Sequence, residues 1–191
     1  MTLSGELKEM PYWLDPPILT KSWAGVSLPQ KTDVLVVGSG YTGTTAAIRL
    51  RQAGAQVVLL DQEKLATRAS ARNGGMTLTG LSQGVADSEK KLGRETTKRL
   101  FAEATEAVST VERIVAEGKI DCHFQRYGHL EDAFKPSHFE HLKHEQEYLA
   151  SRFNHETKLI PPADLSAEIG SALYHGALLD PLSAGVQPAT H

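Results

Sequence analysis

Residues 33–61 read DVLVVGSGYTGTTAAIRLRQAGAQVVLLD, and this stretch decides the fold. The run Val34, Leu35, Val36, Val37 is rich in β-branched residues and has no polar alternation, the pattern of a parallel strand covered on both faces. Gly38, Gly40 and Gly43 follow as G-x-G-x-x-G. In that spacing the first glycine makes a tight turn, the second lets the backbone approach a pyrophosphate, and the third lets a helix pack closely on the strand. Ala46, Ala47, Leu50 and Ala53 recur at helical spacing, which predicts a helix that buries one face and leaves Arg49, Arg51 and Gln52 in water. The free N–H groups at its start would point at phosphates. Gly54 is placed to stop the helix, and Val57, Val58, Leu59 and Leu60 make a second buried strand. Asp61 closes that strand, where a carboxylate accepts hydrogen bonds from a ribose diol and repels a 2′-phosphate. FAD or NAD, rather than NADP, is the ligand these residues expect. The competing reading is an α/β unit whose glycines only make a turn; the strand before, the helix after and the terminal acid weigh against it.

Composition narrows the rest. A chain of 191 residues holds one large domain, or one domain and part of another. Its 20 basic and 23 acidic residues are spread along the sequence for a net charge of −3, which gives no electrostatic footprint for nucleic acid or an anionic membrane. The start, MTLSGELKEM, lacks a basic segment followed by an apolar core, and no apolar run reaches membrane-spanning length, so a soluble cytoplasmic protein is expected. Cys122 is the single cysteine, which excludes an internal disulfide and multi-cysteine metal or redox motifs. Set between Ile120 and Phe124, it reads as a packed thiol.

Residues 1–31 hold four of the nine prolines and no sustained period, the signature of an extended arm anchored by Tyr12, Trp13 and Trp23. Beyond Asp61, residues 68–77 read RASARNGGMT. Arginine and serine can bind phosphate and paired glycines admit close backbone approach, so this loop is placed to touch a ligand. Taken alone, it would pass for an ordinary polar loop. Leu92, Leu100, Ala104, Val108, Val111 and Val115 predict a long amphipathic helix over 88–118 with a break near Gly93. Residues 119–127 alternate Ile120, Cys122, Phe124 with Asp121, His123, Gln125, predicting a half-buried strand that pairs through Gly128 with 130–134. Ser137 and Glu140 predict a capping box before a helix carrying Phe139, Leu142, Gln146, Leu149 and Phe153 on one stripe. Pro161 and Pro162 end that region, Asp164 caps a short helix stopped by Gly170, and 172–179 reads as a strand.

His138, His141 and His144 are three apart on the predicted helix, yet neither H-E-x-x-H nor H-x-x-E-H is present, so a solvated helix face is expected rather than a metal site. No serine stands in G-x-S-x-G, and no catalytic acid or base is nominated. His123, Tyr127 and His129 read as structural residues.

With these residues together, the sequence resembles the N-terminal portion of FAD-dependent oxidoreductases of the D-amino-acid oxidase type, a group that includes glycine oxidase, sarcosine oxidase and γ-glutamylputrescine oxidase, the last being nearest. The resemblance rests on the proline-rich start with Tyr12-Trp13, the fingerprint to Asp61, the segment Ser70-Ala71-Arg72-Asn73-Gly74-Gly75, the strand Tyr127-Gly128-His129-Leu130, and the stretch from Tyr174 to Gln187-Pro188. It implies an α/β fold in which a Rossmann-like FAD-binding βαβ domain is interleaved with an α+β substrate domain built on an antiparallel sheet. Accordingly, 1–31 is expected as an arm, 32–118 as the first part of the FAD domain, and 119–191 as the start of a substrate domain that leads back towards it. It further implies oxidation of an amine or amino acid at the C–N bond, with hydride passing to flavin N5. Gly38, Gly40, Tyr41, Thr42 and Gly43 would hold the pyrophosphate and Asp61 the adenosine ribose. Arg68, Ser70, Asn73, Gly74, Gly75 and Met76 would follow the cofactor towards the isoalloxazine ring. Ser39, Gln62 and Arg72 complete the expected cofactor-binding set. Many relatives have glycine where this chain has Ala71, so a glycine conformation is absent or unneeded there. Relatives are also longer, which implies that the last strands of the FAD sheet and most of the substrate pocket lie beyond residue 191 or in a second chain; a fold without them would expose apolar sheet edges. Two alternatives stay open: a non-catalytic flavin- or nucleotide-binding subunit or inactive fragment, and an NAD-linked dehydrogenase, which would not require the Arg72-Asn73-Gly74-Gly75 segment.

Overall fold

The structure, a computed structural model, describes residues 9–15, 23, 25–65 and 67–190. The chain divides into two compact units, Met1–Gly75 with Gln187–His191, and Met76–Val186.

The first unit is a βαβ element. Strand β1 (Val34–Val37) and strand β2 (Val57–Leu60) pair in parallel, Val34 opposite Val57 through Val37 opposite Leu60, and helix α1 (Tyr41–Gln52) joins them. Parallel strands need such a crossover because their ends lie at opposite edges. Helix α1 ends as the sequence predicts: Gly54 N donates to Arg51 O and Ala55 N to Leu50 O, a paired closure that the left-handed backbone of Gly54 permits.

Two expectations for this unit need correction. Helix α1 keeps Ala47 and Leu50 half-buried but exposes Ala46 and Ala53, so its covered face is narrower than the alanine spacing suggested. Strand β1 is not covered on both sides. Val36 stands beside Gly43 of the helix, whereas Leu35 and Val37 are 53% and 79% exposed. The cause is geometric. Alternate residues of a strand point to opposite faces, and α1 lies against only one of them.

The N-terminal arm is described only in part; residues 1–8, 16–22 and 24 lie outside the described residues. Tyr12–Leu14 form a single 3-10 turn. Of the three expected anchors, Tyr12 and Trp23 are exposed, while Trp13 ties the arm down: its indole Nε1 donates to Asn73 O at 2.7 Å, and its carbonyl accepts from Gln187 Nε2 at 3.1 Å.

The second unit packs helices against a small antiparallel sheet. The helical stretch is broken at Gly93 as expected, into α2 (Val85–Leu92) and α3 (Arg94–Gly118). Its buried stripe differs from the one read in the sequence. Val108 is buried as expected, but Leu92 and Leu100 are exposed and Thr97 and Phe101 are buried in their stead. Thr97 fits because its hydroxyl donates to Gly93 O, one turn back. Phe101 joins Val85, Leu149 and Phe153 in one apolar cluster.

Strand β4 (His129–Asp132) pairs antiparallel with β6 (Ala177–Asp180), which also pairs with β5 (Lys158–Ile160); β3 (Met76–Thr77) pairs with β7 (Ala184–Gly185). Residues 119–127 keep their alternation of exposure but do not form a strand, and they are not the partner of β4. Lys119 and His123 have φ near +49°, which breaks the extended run, and one bridge, Gln125 with Gly185, remains. Strand β6 is also shorter than the expected 172–179, starting only at Ala177.

Helix α4 (Pro136–Phe153) carries the predicted stripe, with Leu142, Leu149 and Phe153 buried. Its start is one residue pair earlier than a capping box at Ser137 requires. Lys135 is the N-cap and Pro136 occupies the first turn, where its fixed φ suits a helix and its missing N–H is no loss. Asp164 likewise makes no side-chain cap, and the segment after it is a 3-10 turn, Leu165–Ala167. His138, His141 and His144 lie on the exposed face of α4. Cys122 is fully buried, and that burial raises its thiol pKa.

Candidate cofactor site

The glycine turn works through two different constraints. Gly38 has φ +103°, a conformation that side chains other than glycine avoid, and its N–H donates to Leu60 O at 2.7 Å, stitching the end of β1 to β2. Gly43 is helical, but a Cβ there would lie 1.9 Å from Gly38 O. No side chain fits, so the first turn of α1 can sit directly on the loop. Gly40 is extended, and a Cβ on it would meet Ser70 Oγ at 3.0 Å. Ser70 Oγ accepts from Tyr41 N at 3.1 Å, which brings the loop after β2 against the helix start.

Asp61 closes the other side. Its Oδ2 accepts from Ser39 N at 2.7 Å and from Ser39 Oγ at 2.6 Å, and Oδ1 accepts from Glu63 N at 3.1 Å. These hydrogen bonds, the Ser39 hydroxyl first, favour the carboxylate and hold its pKa down to about 2. The group is therefore an anion throughout the physiological range.

Val37, Gly38, Ser39, Gly40, Asp61, Gln62, Thr67, Arg68 and Ser70 enclose an open groove of about 360 Å³. Seven of these are residues the sequence nominated; Val37 and Thr67 are not, and neither carries a motif that would have exposed it. Arg68 reaches Glu63 in an ion pair. The remaining nominated residues of this unit serve the loop itself. Arg72 Nε donates to Thr67 O at 2.7 Å; Asn73 Nδ2 donates to Ser70 O at 2.9 Å and its Oδ1 accepts from Gly75 N at 2.8 Å. Ala71 is fully buried within the 3-10 turn Ala69–Ala71, outside the left-handed region, so glycine is not needed there. Tyr41 OH donates to Pro188 O at 3.3 Å, and Thr42 is exposed. Gly74 is exposed beside Gly75. Met76 belongs to the second unit, on β3.

The donor set suits one end of a dinucleotide: backbone amides at a helix start, a fixed carboxylate for hydroxyls, and a cationic side chain. A parallel strand pair with a glycine turn beneath the connecting helix and an acid closing the second strand defines a dinucleotide-binding unit. The chain belongs to the FAD dependent oxidoreductase family, whose model matches residues 33–190. It is similar to Gamma-glutamylputrescine oxidoreductase of Escherichia coli, with 31% identity over 156 residues, covering 82% of this chain and 36% of that protein. A protein named Probable oxidoreductase OrdL from Rhizobium meliloti shares 29% identity over 188 residues, covering 92% of this chain and 44% of the relative. The chain thus spans less than half the length of these relatives. Among solved structures, L-amino acid deaminase from Proteus vulgaris matches with TM-score 0.66 and 21% identity, covering 86% of this chain and 36% of that one, and glycine oxidase from Bacillus cereus with TM-score 0.59 and 16% identity, covering 84% and 41%. These likenesses show the fold. Family membership supports FAD as the cofactor, and the cradle formed by Gly40, Gly43 and Asp61 fits it. No described helix is long and apolar enough to cross a membrane.

Proposed function

We propose that this chain supplies the ADP-binding part of an FAD-dependent oxidoreductase that oxidises the C–N bond of a small amine or amino acid. The observation that carries the reading is the groove between the Gly38–Gly43 turn and the Asp61 carboxylate. In this reading the Gly38–Gly43 turn at the start of α1 holds the pyrophosphate, Asp61 with Gln62 takes the adenosine ribose, and Arg68 and Ser70 follow the cofactor along the groove. Bound flavin would supply the redox chemistry, accepting a hydride at N5 from the carbon that bears nitrogen. This chain's residues bind and orient the cofactor and keep a 2′-phosphate out through the negative charge of Asp61. The E. coli relative is named for γ-glutamylputrescine, an amine, and the two structural neighbours for amino acids, which supports a substrate with a C–N bond. The flavin ring and the substrate pocket draw, in this proposal, on sequence beyond residues 1–191.

The test is spectroscopic. Purified protein supplied with FAD should hold it and show flavin absorbance, and an amine or amino-acid substrate should bleach it once the complete enzyme is assembled. Retention of NAD in place of FAD would overturn the reading.

A further inference from the structure

The reading of the groove as an ADP site leaves open what aims the ribose-binding acid. An aspartate on an open surface rotates about its last bond and loses that freedom when a ligand binds. Asp61 is not free in this way. One residue, Ser39, places both its backbone N–H and its hydroxyl on the same oxygen, Oδ2, at 2.7 and 2.6 Å. Charge-assisted bonds of this length are among the stronger ones in proteins. Ser39 is itself held in place: it is buried, and its carbonyl accepts from Thr44 Oγ1 at 3.1 Å, which ties it to the first turn of α1. The second oxygen, Oδ1, receives the Glu63 amide, and Asp61 is one of the residues that line the groove.

We infer that Ser39 is the positioning residue for adenosine recognition: by clamping Oδ2 it turns Oδ1 of Asp61 towards the groove, where it accepts a ribose hydroxyl. This rests on the ADP reading above. Only a side chain with a hydroxyl, or a comparable donor, at this interior position of the glycine turn can perform the task; alanine would keep the amide contact and lose the other.

The experiment compares binding of ADP and 2′,3′-dideoxy-ADP by titration calorimetry to the full protein, freed of FAD. The wild type should prefer ADP. S39A should weaken ADP about tenfold, the scale of one hydrogen bond to a charged group, while leaving dideoxy-ADP within about twofold. D61N should lose the same preference, and S39A added to D61N should change the ratio no further. Should S39A not fold, S39C, which keeps the volume and replaces the hydroxyl with a weak donor, carries the same expectation. Equal weakening of both nucleotides, or of neither, overturns the positioning role while ADP binding by the wild type upholds the site. A wild type that binds neither nucleotide overturns the site and this inference with it.

Discussion

His155 Nε2 lies 3.3 Å from Asp180 Oδ1, with the imidazole buried edge-on against Phe101. Thr79 and Ser183 donate their hydroxyls to Asp180 Oδ2, and Leu182 N donates to Oδ1 at 2.9 Å. Burial pushes this carboxyl pKa up, but the donors, His155 and Thr79 foremost, outweigh it and hold the value at about 2. Because the folded-state pKa is depressed, the stabilisation is present above the ordinary carboxylate value of 3.8 and is lost as pH falls towards 2. Denaturant unfolding should therefore show D180N less stable than wild type at neutral pH, with the gap closing across that acid window. H155A should cost about 2 kcal/mol at neutral pH, since it leaves a partly buried acid short of a donor.

Two glycines of the first unit, Gly43 and Gly54, separate crowding from strain. G43A drives a methyl into Gly38 O and should both destabilise the unit, by about 2–3 kcal/mol, and abolish FAD retention. Gly54 has φ +94° with nothing within 4 Å of an added Cβ, so G54A should cost about 1–2 kcal/mol and leave flavin content unchanged. Thermal melts and the flavin-to-protein ratio read the two effects separately. Equal flavin loss in both variants would contradict the assignment of Gly43 to the site.

The fingerprint is legible in the sequence because its determinants keep a fixed spacing: a turn glycine, a packing glycine and a strand-terminal acid. The open face of β1 is not. The apolar run at Val34 to Val37 reports what those side chains favour, whereas the cover over Leu35 and Val37 depends on which other elements stand there. Residues 119–127 misled for a related reason, since their alternation survives while the positive φ at Lys119 and His123 prevents pairing. The clamp between Ser39 and Asp61 joins positions 22 apart and follows from the turn's geometry, which the letters alone do not display.

The helical spacing points to Leu100, yet its neighbour Phe101 is the buried residue, because a one-residue shift of a helical stripe keeps nearly the same spacing. Its packing against Phe153, with ring centres 5.2 Å apart, and against Val85 and Leu149 makes it central to the second unit. F101A should destabilise by about 3–5 kcal/mol, and L100A by less than about 1, in equilibrium unfolding.

Cys122 is fully buried and its thiol pKa is raised by burial, so the thiolate that reacts with alkylating reagents is scarce at neutral pH. Iodoacetamide should leave the native protein unlabelled and modify one cysteine after denaturation, as mass spectrometry would show. Rapid labelling of the folded protein would contradict the packed-thiol reading.

The central claim is that the groove between Gly38 and Asp61 grips the ADP half of FAD, and a direct FAD titration of wild type against D61A, followed by flavin fluorescence, tests it most directly. The account predicts saturable one-to-one binding by the wild type and at least about tenfold weaker binding by D61A. Undiminished FAD affinity in D61A, or no FAD binding by a folded wild type, would contradict it.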